Sequence, residues 1–304
     1  MITVTTIAEA RSACDDARAA GTRVGFVPTM GFFHEGHRSL MRAARAANDF
    51  VIVSLFVNPT QFGPSEDLDG YPRDLVGDGT AAAAEGVDLL FTPAAAQMYP
   101  AGARTTVHVD GLTDVLCGAS RPGHFDGVTT VVAKLFSIVG PSRAYFGRKD
   151  AQQVAVIRRM TTDLDLPVEV VGCPLVREND GLAMSSRNSY LEPDERAAAT
   201  VLAGALYVAS EAVVAGERDP ATIRRLLYDV IDRAPLVRLD YAEVVDAATL
   251  DPVDQIRPDT LVALAAFVGK ARLIDNVTIS FPGGTATPDL GVHIASSGMQ
   301  EVEH

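Results

Sequence analysis

Apolar residues in the first half of the chain come in short unbroken blocks, with stretches of helical spacing between them. The blocks at residues 24–27 and 50–57 are rich in β-branched and aromatic side chains, and Pro28 and Pro59 mark the turns that follow them. Strands that are apolar at nearly every position are covered on both faces, the habit of a parallel sheet. Residues 88–91, 143–146 and 168–171 continue the series as strands, and residues 7–20, 36–47, 127–139 and 150–163 read as helices. Strand and helix in alternation predict an α/β fold with a doubly wound parallel sheet.

The pattern changes after about Val176. A loop rich in Ser, Asn and Gly over residues 179–188 leads into alanine-rich helical stretches at 193–215 and 220–234. Apolar or alternating runs at 239–245, 261–268 and 273–281 then predict a small antiparallel sheet packed on those helices. The expected organisation is a first domain over residues 1–176, a smaller α+β domain over 177–282, and a mobile tail over 283–304, where Gly, Thr and Ser dominate without periodicity.

Composition bounds the partners. The 304 residues, 47% of them apolar, are enough for a large core. A net charge of −13 sets most of the surface against a phosphate backbone, so nucleic-acid binding is not expected. Cys14, Cys117 and Cys173 form no C-x-x-C pair and read as free thiols of a reducing cytoplasm. The chain start lacks a secretory pattern, and the longest apolar run, residues 261–268, falls short of the ~20 residues of a membrane helix. A cytoplasmic protein with no membrane partner is the expectation. Only Lys134, Lys149 and Lys270 are lysines among the 26 basic residues.

Against this acidic background, three stretches gather chemistry. Residues 28–37, P-T-M-G-F-F-H-E-G-H, fall where a strand hands over to a helix. The partial positive charge and free N–H groups of a helix N-terminus favour an anion. His34 and His37 add donors on the same side, and Gly31 and Gly36 permit close backbone approach. The set suits a triphosphate; a zinc pair or two surface histidines are the alternatives, although the H-E-x-x-H metalloprotease spacing is absent. Residues 146–153, F-G-R-K-D-A-Q-Q, repeat the placement, and residues 141–160 carry five basic side chains against one acidic. A solvated helix start capped by Asp150 is the competing reading. Residues 176–188, V-R-E-N-D-G-L-A-M-S-S-R-N, set two hydroxyls beside an arginine at the domain boundary, where a loop can close on a phosphate; a plain linker looks the same. Lesser candidates are Asn58 and Gln61 after the second strand, His124 before a helix, and Asp67, Asp69, Asp74 and Asp78 as magnesium ligands.

Taken in order, P-T-M-G-x-x-H-E-G-H, V-N-P-x-Q-F, R-P-x-H-F-x-G-V-x-T-V-V-x-K-L-F, F-G-x-K-D-x-Q-Q and G-L-A-M-S-S-R-N resemble the pantoate–β-alanine ligase family, the pantothenate synthetases. These are nucleotidylyltransferases with H-x-G-H on their first helix. The resemblance runs from about Thr22 through Leu191 and more loosely to about Phe281. It implies a Rossmann-like nucleotide-binding domain, a C-terminal lid, a homodimer and an AMP-forming ligase. In that reaction the pantoate carboxylate attacks the α-phosphorus of ATP, releasing pyrophosphate, and β-alanine then attacks the pantoyl adenylate, releasing AMP. The resemblance also implies residue roles. His34 and His37 contact phosphates, His37 in the proton-donor position, while Lys149, Ser185, Ser186 and Arg187 hold phosphate groups. Met30, Gly31, Phe32, Phe33, Glu35, Gly36, Gly147, Arg148, Asp150, Val176 and Met184 complete the ATP site. Gln61 and Gln153 clasp pantoate, Gln61 also borders β-alanine, Asn58 and His124 lie on the substrate side, and Mg2+ bridges the phosphates.

The sequence departs from the family pattern at several places. Phe32-Phe33 stand for Ala-Leu, Arg38 for Leu, Arg148 and Ala151 for Glu and Tyr, and Gly77 for an acidic residue, which leaves Asp78 as the magnesium candidate. Every phosphate-binding type is present, so unaltered chemistry is expected. A related nucleotidylyltransferase acting on another small acid, and a nucleotide-binding paralogue without turnover, are the rival readings.

Overall fold

The structure is a computed structural model that describes residues 1–63 and 68–294. The chain divides into two compact units, Met1–Cys173 with Val245–Pro252, and Pro174–Val244 with Val253–His304.

The first unit runs β1 (Ile2–Val4), α1 (Ile7–Ala19), β2 (Val24–Thr29), α2 (Glu35–Ala47), β3 (Phe50–Leu55), α3 (Leu75–Ala84), β4 (Leu89–Phe91), α4 (Ala95–Met98), α5 (Cys117–Ser120), α6 (His124–Val139), β5 (Ser142–Gly147), α7 (Ala151–Asp163) and β6 (Val168–Cys173). The six strands form one parallel sheet in the order β1-β4-β3-β2-β5-β6. From β2 the chain moves to β3 on one side, and it returns at β5 on the other, so the strand order reverses between β2 and β5. The carboxyl ends of strands at such a switch point are where open α/β sheets bind ligands. The unbroken apolar blocks have a simple cause. Leu40, Met41 and Ala44 of α2 pack with Val27, Val51 and Val53. In α6, Phe136 meets Phe26 and Phe146 edge-on at 6.4 and 6.3 Å. β1 escaped the sequence reading because it is only three residues long and largely exposed, with no apolar block to announce it.

The second unit comprises β7 (Val176–Arg177), α8 (Pro193–Ala199), α9 (Val201–Val214), α10 (Pro220–Ile231), β8 (Val237–Asp246), β9 (Thr260–Val268), β10 (Ala271–Ser280), β11 (Thr287–Asp289) and β12 (Val292–His293). Its main sheet has the order β11-β10-β9-β8, with β10 antiparallel to both neighbours. Leu202, Leu206 and Val213 of α9 and Ile223, Leu227 and Ile231 of α10 close a core with Val262, Leu264, Val277 and Ile279. The Pro193–Val214 stretch is long and apolar enough by composition to cross a membrane; its apolar stripe is that of a core helix here.

The chain after Phe281 differs from the expected tail. β11 pairs with β10, and β12 lies parallel to β7 with Val292 opposite Val176. Two- and three-residue strands carry no periodicity, so only their partners reveal them. Arg177 anchors them. It is fully buried, ion-pairs with Asp275 at 2.7 Å, and donates from Nε to Leu290 O and from Nη1 to Gly181 O. Removing either partner would strand a buried charge at a cost of about 3–5 kcal/mol. The rest of the expected tail, residues 295–304, lies outside the described residues.

Candidate active site

The sequence Pro28–His34 leaves β2 through a sharp loop in which Gly31 and Phe32 both adopt positive φ, +89° and +53°. His34 then caps α2 with its own ring: Nδ1 accepts from the Gly36 N–H at 3.1 Å. Nδ1 of His37 accepts from the His34 N–H at 3.4 Å. An imidazole nitrogen that accepts from an N–H carries no proton, so each neutral ring bears its proton on Nε2. The rings lie 4.1 Å apart, and Phe33 packs on His37 at 5.6 Å. Burial holds the His37 pKa well below the ordinary histidine range, and the charges of His34 and Lys149 push the same way. His37 is thus a neutral Nε2–H donor at pH 7.

The coupling to Lys149 reflects the sheet. β5 lies beside β2, and Arg148–Asp150 make a 3₁₀ turn between β5 and α7. Asp150 occupies the N-cap position of α7 without a side-chain cap hydrogen bond, so the capping alternative is not realised. Lys149 is half-buried. Arg148 turns toward β6: a side chain at Gly172 would come 3.3 Å from its Cγ.

Beyond β3, Gln61 ends a 3₁₀ turn, Pro59–Gln61. Its Nε2 donates to Met30 Sδ at 3.1 Å, tying this turn to the β2 loop. Asn58, expected to touch substrate, is 1% exposed and occupied by protein: Nδ2 donates to Gln61 Oε1 and Gly127 O, while Oδ1 accepts from the Thr60 and Tyr99 hydroxyls. It orients Gln61 instead. His124, also expected on the substrate side, has Nδ1 on Gln61 O at 2.8 Å and Nε2 on Arg121 Nη1 at 3.1 Å, which leaves neither nitrogen for a ligand. Gln153 is half-buried, and its side chain makes no hydrogen bond to a described residue. Its neighbour Gln152 accepts at Oε1 from Cys117 N and donates to Leu112 O and Val115 O, fixing the loop before α5. The Gln-Gln motif signalled two amides; only the packing separates their tasks.

Asp78, the magnesium candidate, is engaged by the backbone. It is 3% exposed, and both oxygens accept backbone N–H groups, Oδ2 from Phe32 at 2.7 Å and Oδ1 from Phe33 at 2.6 Å. Asp74 caps α3 through Gly77 N, and Asp67 lies outside the described residues. Among the described residues no group of three or more His, Cys, Asp or Glu is placed to hold a metal ion. The departure at Arg38 is accounted for by its ion pair with Glu85, which Arg42 shares.

In the second unit, residues 178–188 form a tight structure of their own. Glu178 N donates to Leu182 O, Met184 N donates to Val176 O, and Asn188 Nδ2 bonds Glu178 Oε1 and Ala183 O. Ser185 caps the 3₁₀ turn Ser186–Tyr190 by accepting from Arg187 N. The Arg187 guanidinium makes no ion pair or hydrogen bond with a described residue. Val176 is buried in β7, and Met184 is half-buried.

Fold and site together define an α/β nucleotide-dependent enzyme whose first helix carries H-x-G-H at the switch point of the sheet. The sequence profile of the family described as pantoate-beta-alanine ligase matches residues 2–278. A pantothenate synthetase of Moorella thermoacetica is 57% identical over 274 residues, covering 90% of this chain and 97% of its own. That of Heliobacterium modesticaldum is 59% identical over 259 residues, covering 85% and 92%. Among solved structures, pantothenate synthetase of Thermus thermophilus superposes with a TM-score of 0.87 at 50% identity, covering 91% of this chain and 98% of that one. The Francisella tularensis pantoate-beta-alanine ligase, complexed with beta-gamma ATP and beta-alanine, gives 0.74 at 33% identity over 91% and 97%. The chain belongs to the pantoate–β-alanine ligase family.

Proposed function

We propose that the chain condenses pantoate with β-alanine at the expense of ATP. A pantoate carboxylate oxygen attacks the α-phosphorus and the bond to pyrophosphate breaks. The β-alanine nitrogen then attacks the acyl carbon of the adenylate, displacing AMP and losing a proton. No enzyme nucleophile takes part; the rate comes from alignment and from charge stabilisation on the departing pyrophosphate.

The observation that carries this reading is the pair of Nε2–H imidazoles, His34 and His37, beside Lys149. A neutral donor next to a fixed cation strengthens its hydrogen bond as negative charge builds on the leaving oxygen, and it requires no earlier proton loss. Gln61 and Gln153 are assigned to pantoate, because neutral amides suit a small hydroxy acid. Ser185, Ser186 and Arg187 are assigned to phosphate oxygens; the uncompensated Arg187 guanidinium supports that role. Among the described residues no three metal-ligating side chains stand together, so magnesium is assigned to the ATP it enters with, and no step is routed through it. The family relationship further supports a homodimer, and three buried free thiols suit a reducing cytoplasm.

The test is direct. Purified protein with ATP, Mg2+, pantoate and β-alanine is expected to release AMP and pantothenate in equal amounts, read by mass spectrometry. AMP release indistinguishable from a no-enzyme control contradicts the assignment.

A further inference from the structure

One buried carboxylate is left unused by this chemistry. Asp78, in the first turn of α3, has no ion pair among the described residues. Its two oxygens instead take two successive backbone amides of the loop that precedes α2, those of Phe32 and Phe33. Successive N–H groups converging on one point form an anion-binding nest. The loop makes that nest through the left-handed conformations of Gly31 and Phe32, one of them at a bulky residue that resists it. The fit is close: a Cβ at Gly31 would stand 2.8 Å from Asp78 Oδ2. The anion concavity nearest the histidines is therefore filled by the protein's own carboxylate. A metal at Asp78 would have to share or displace these two N–H groups at a carboxylate that is 3% exposed.

We infer that Asp78 is a positioning residue: it locks the Met30–Phe33 loop so that His34 and His37 present their Nε2–H groups to ATP, and it is not a magnesium ligand. The inference rests on the proposed ligase reaction, and one arm of its test is independent of that reaction. Asp78→Asn keeps the shape but turns an NH2 toward a backbone N–H. The expected result is a fall of about 100-fold in kcat/KM for ATP, the cost of misplacing reacting groups by about 1 Å. The magnesium concentration for half-maximal rate stays unchanged. Asp78→Glu, which keeps the charge but shifts the oxygens by a methylene, loses as much. In NMR of the unliganded protein, the His37 titration midpoint rises in Asp78→Asn toward that of an ordinary histidine. Asp74→Ala, which removes the cap of the same helix, lowers the melting temperature and leaves the His37 titration and magnesium dependence as in wild type.

Recovery of Asp78→Asn activity by excess magnesium, with a raised half-saturation, would overturn the inference in favour of a metal ligand. So would a folded Asp78→Asn whose kcat/KM and His37 titration match wild type. Wild-type protein that releases no AMP would instead sink the functional reading, and the His37 titration would still decide whether Asp78 holds the loop.

Discussion

The helix starts after β2 and after β5 look alike in sequence, each a glycine and basic or imidazole groups at a strand end, yet side chains of the protein engage their backbones differently. At α2 the protein's own side chains take backbone amides: Asp78 holds those of Phe32 and Phe33 in the preceding loop, and His34 holds that of Gly36. At α7 no side chain caps the helix. On the proposed reading the first start meets the phosphates with its imidazoles, and the second with backbone amides and Lys149. Imidazoles can be tuned in charge while amides cannot, so the proposed reading assigns the proton-sensitive part of catalysis to α2 and the constant field to α7.

The sharpest way to break this contrast is His37→Ala. Loss of one donor aimed at developing charge costs about 10²–10³ in rate; kcat/KM for ATP is expected near the upper end, with the ATP dissociation constant changed far less. Lys149→Ala is expected to lose about 10²-fold by the same electrostatic argument. Its loss should appear in ATP affinity as well as turnover, because its charge acts on ground state and transition state alike. Equal effects of both variants on affinity and turnover would erase the distinction between the two starts.

A smaller effect sharpens the substrate side. A Cβ on Gly127 would stand 2.4 Å from Thr60 O and 2.6 Å from the Gln61 amide nitrogen. Gly127→Ala must push the Pro59–Gln61 turn, and a roughly tenfold rise in the pantoate KM, with the ATP KM unmoved, is expected from steady-state kinetics. An unchanged pantoate KM would remove Gln61 from the assignment.

The smallest effect is on stability. The folded pKa of His37 lies below the value of about 6.5 of an unfolded chain. Below that pH the unfolded chain binds the proton first, so this group costs stability as pH falls from about 6.5 and contributes nothing above it. His108, raised mainly by its hydrogen bond to Asp126, acts in the opposite sense. The informative quantity is therefore the difference between wild type and His37→Gln. Denaturation midpoints should converge between pH 7.5 and 5.5, the wild type losing more; parallel midpoints would contradict a buried neutral His37.

How far the sequence carried depended on the range of the interaction. The parallel sheet was legible because two-sided burial writes itself into unbroken apolar blocks such as residues 50–57. The strand-loop-helix that carries His34 and His37 was legible because its geometry is local. The hold of Asp78 on the loop was not legible because a carboxylate reads the same whether it meets a cation or two amides 45 and 46 residues away. Asn58 and His124 sat in the right motifs, but their polar groups are consumed by Gln61, Gly127 and Arg121, which only packing reveals. β12 was missed because its register with β7 and its anchor, Arg177, belong to distant segments.

The most direct test of the central claim, that these groups serve the departure of pyrophosphate from ATP, is a rapid-quench experiment with ATP, Mg2+ and pantoate but no β-alanine. The account predicts a burst of about one pyrophosphate per active site, abolished on the same timescale by His37→Ala. Pyrophosphate that appears only once β-alanine is added would contradict it.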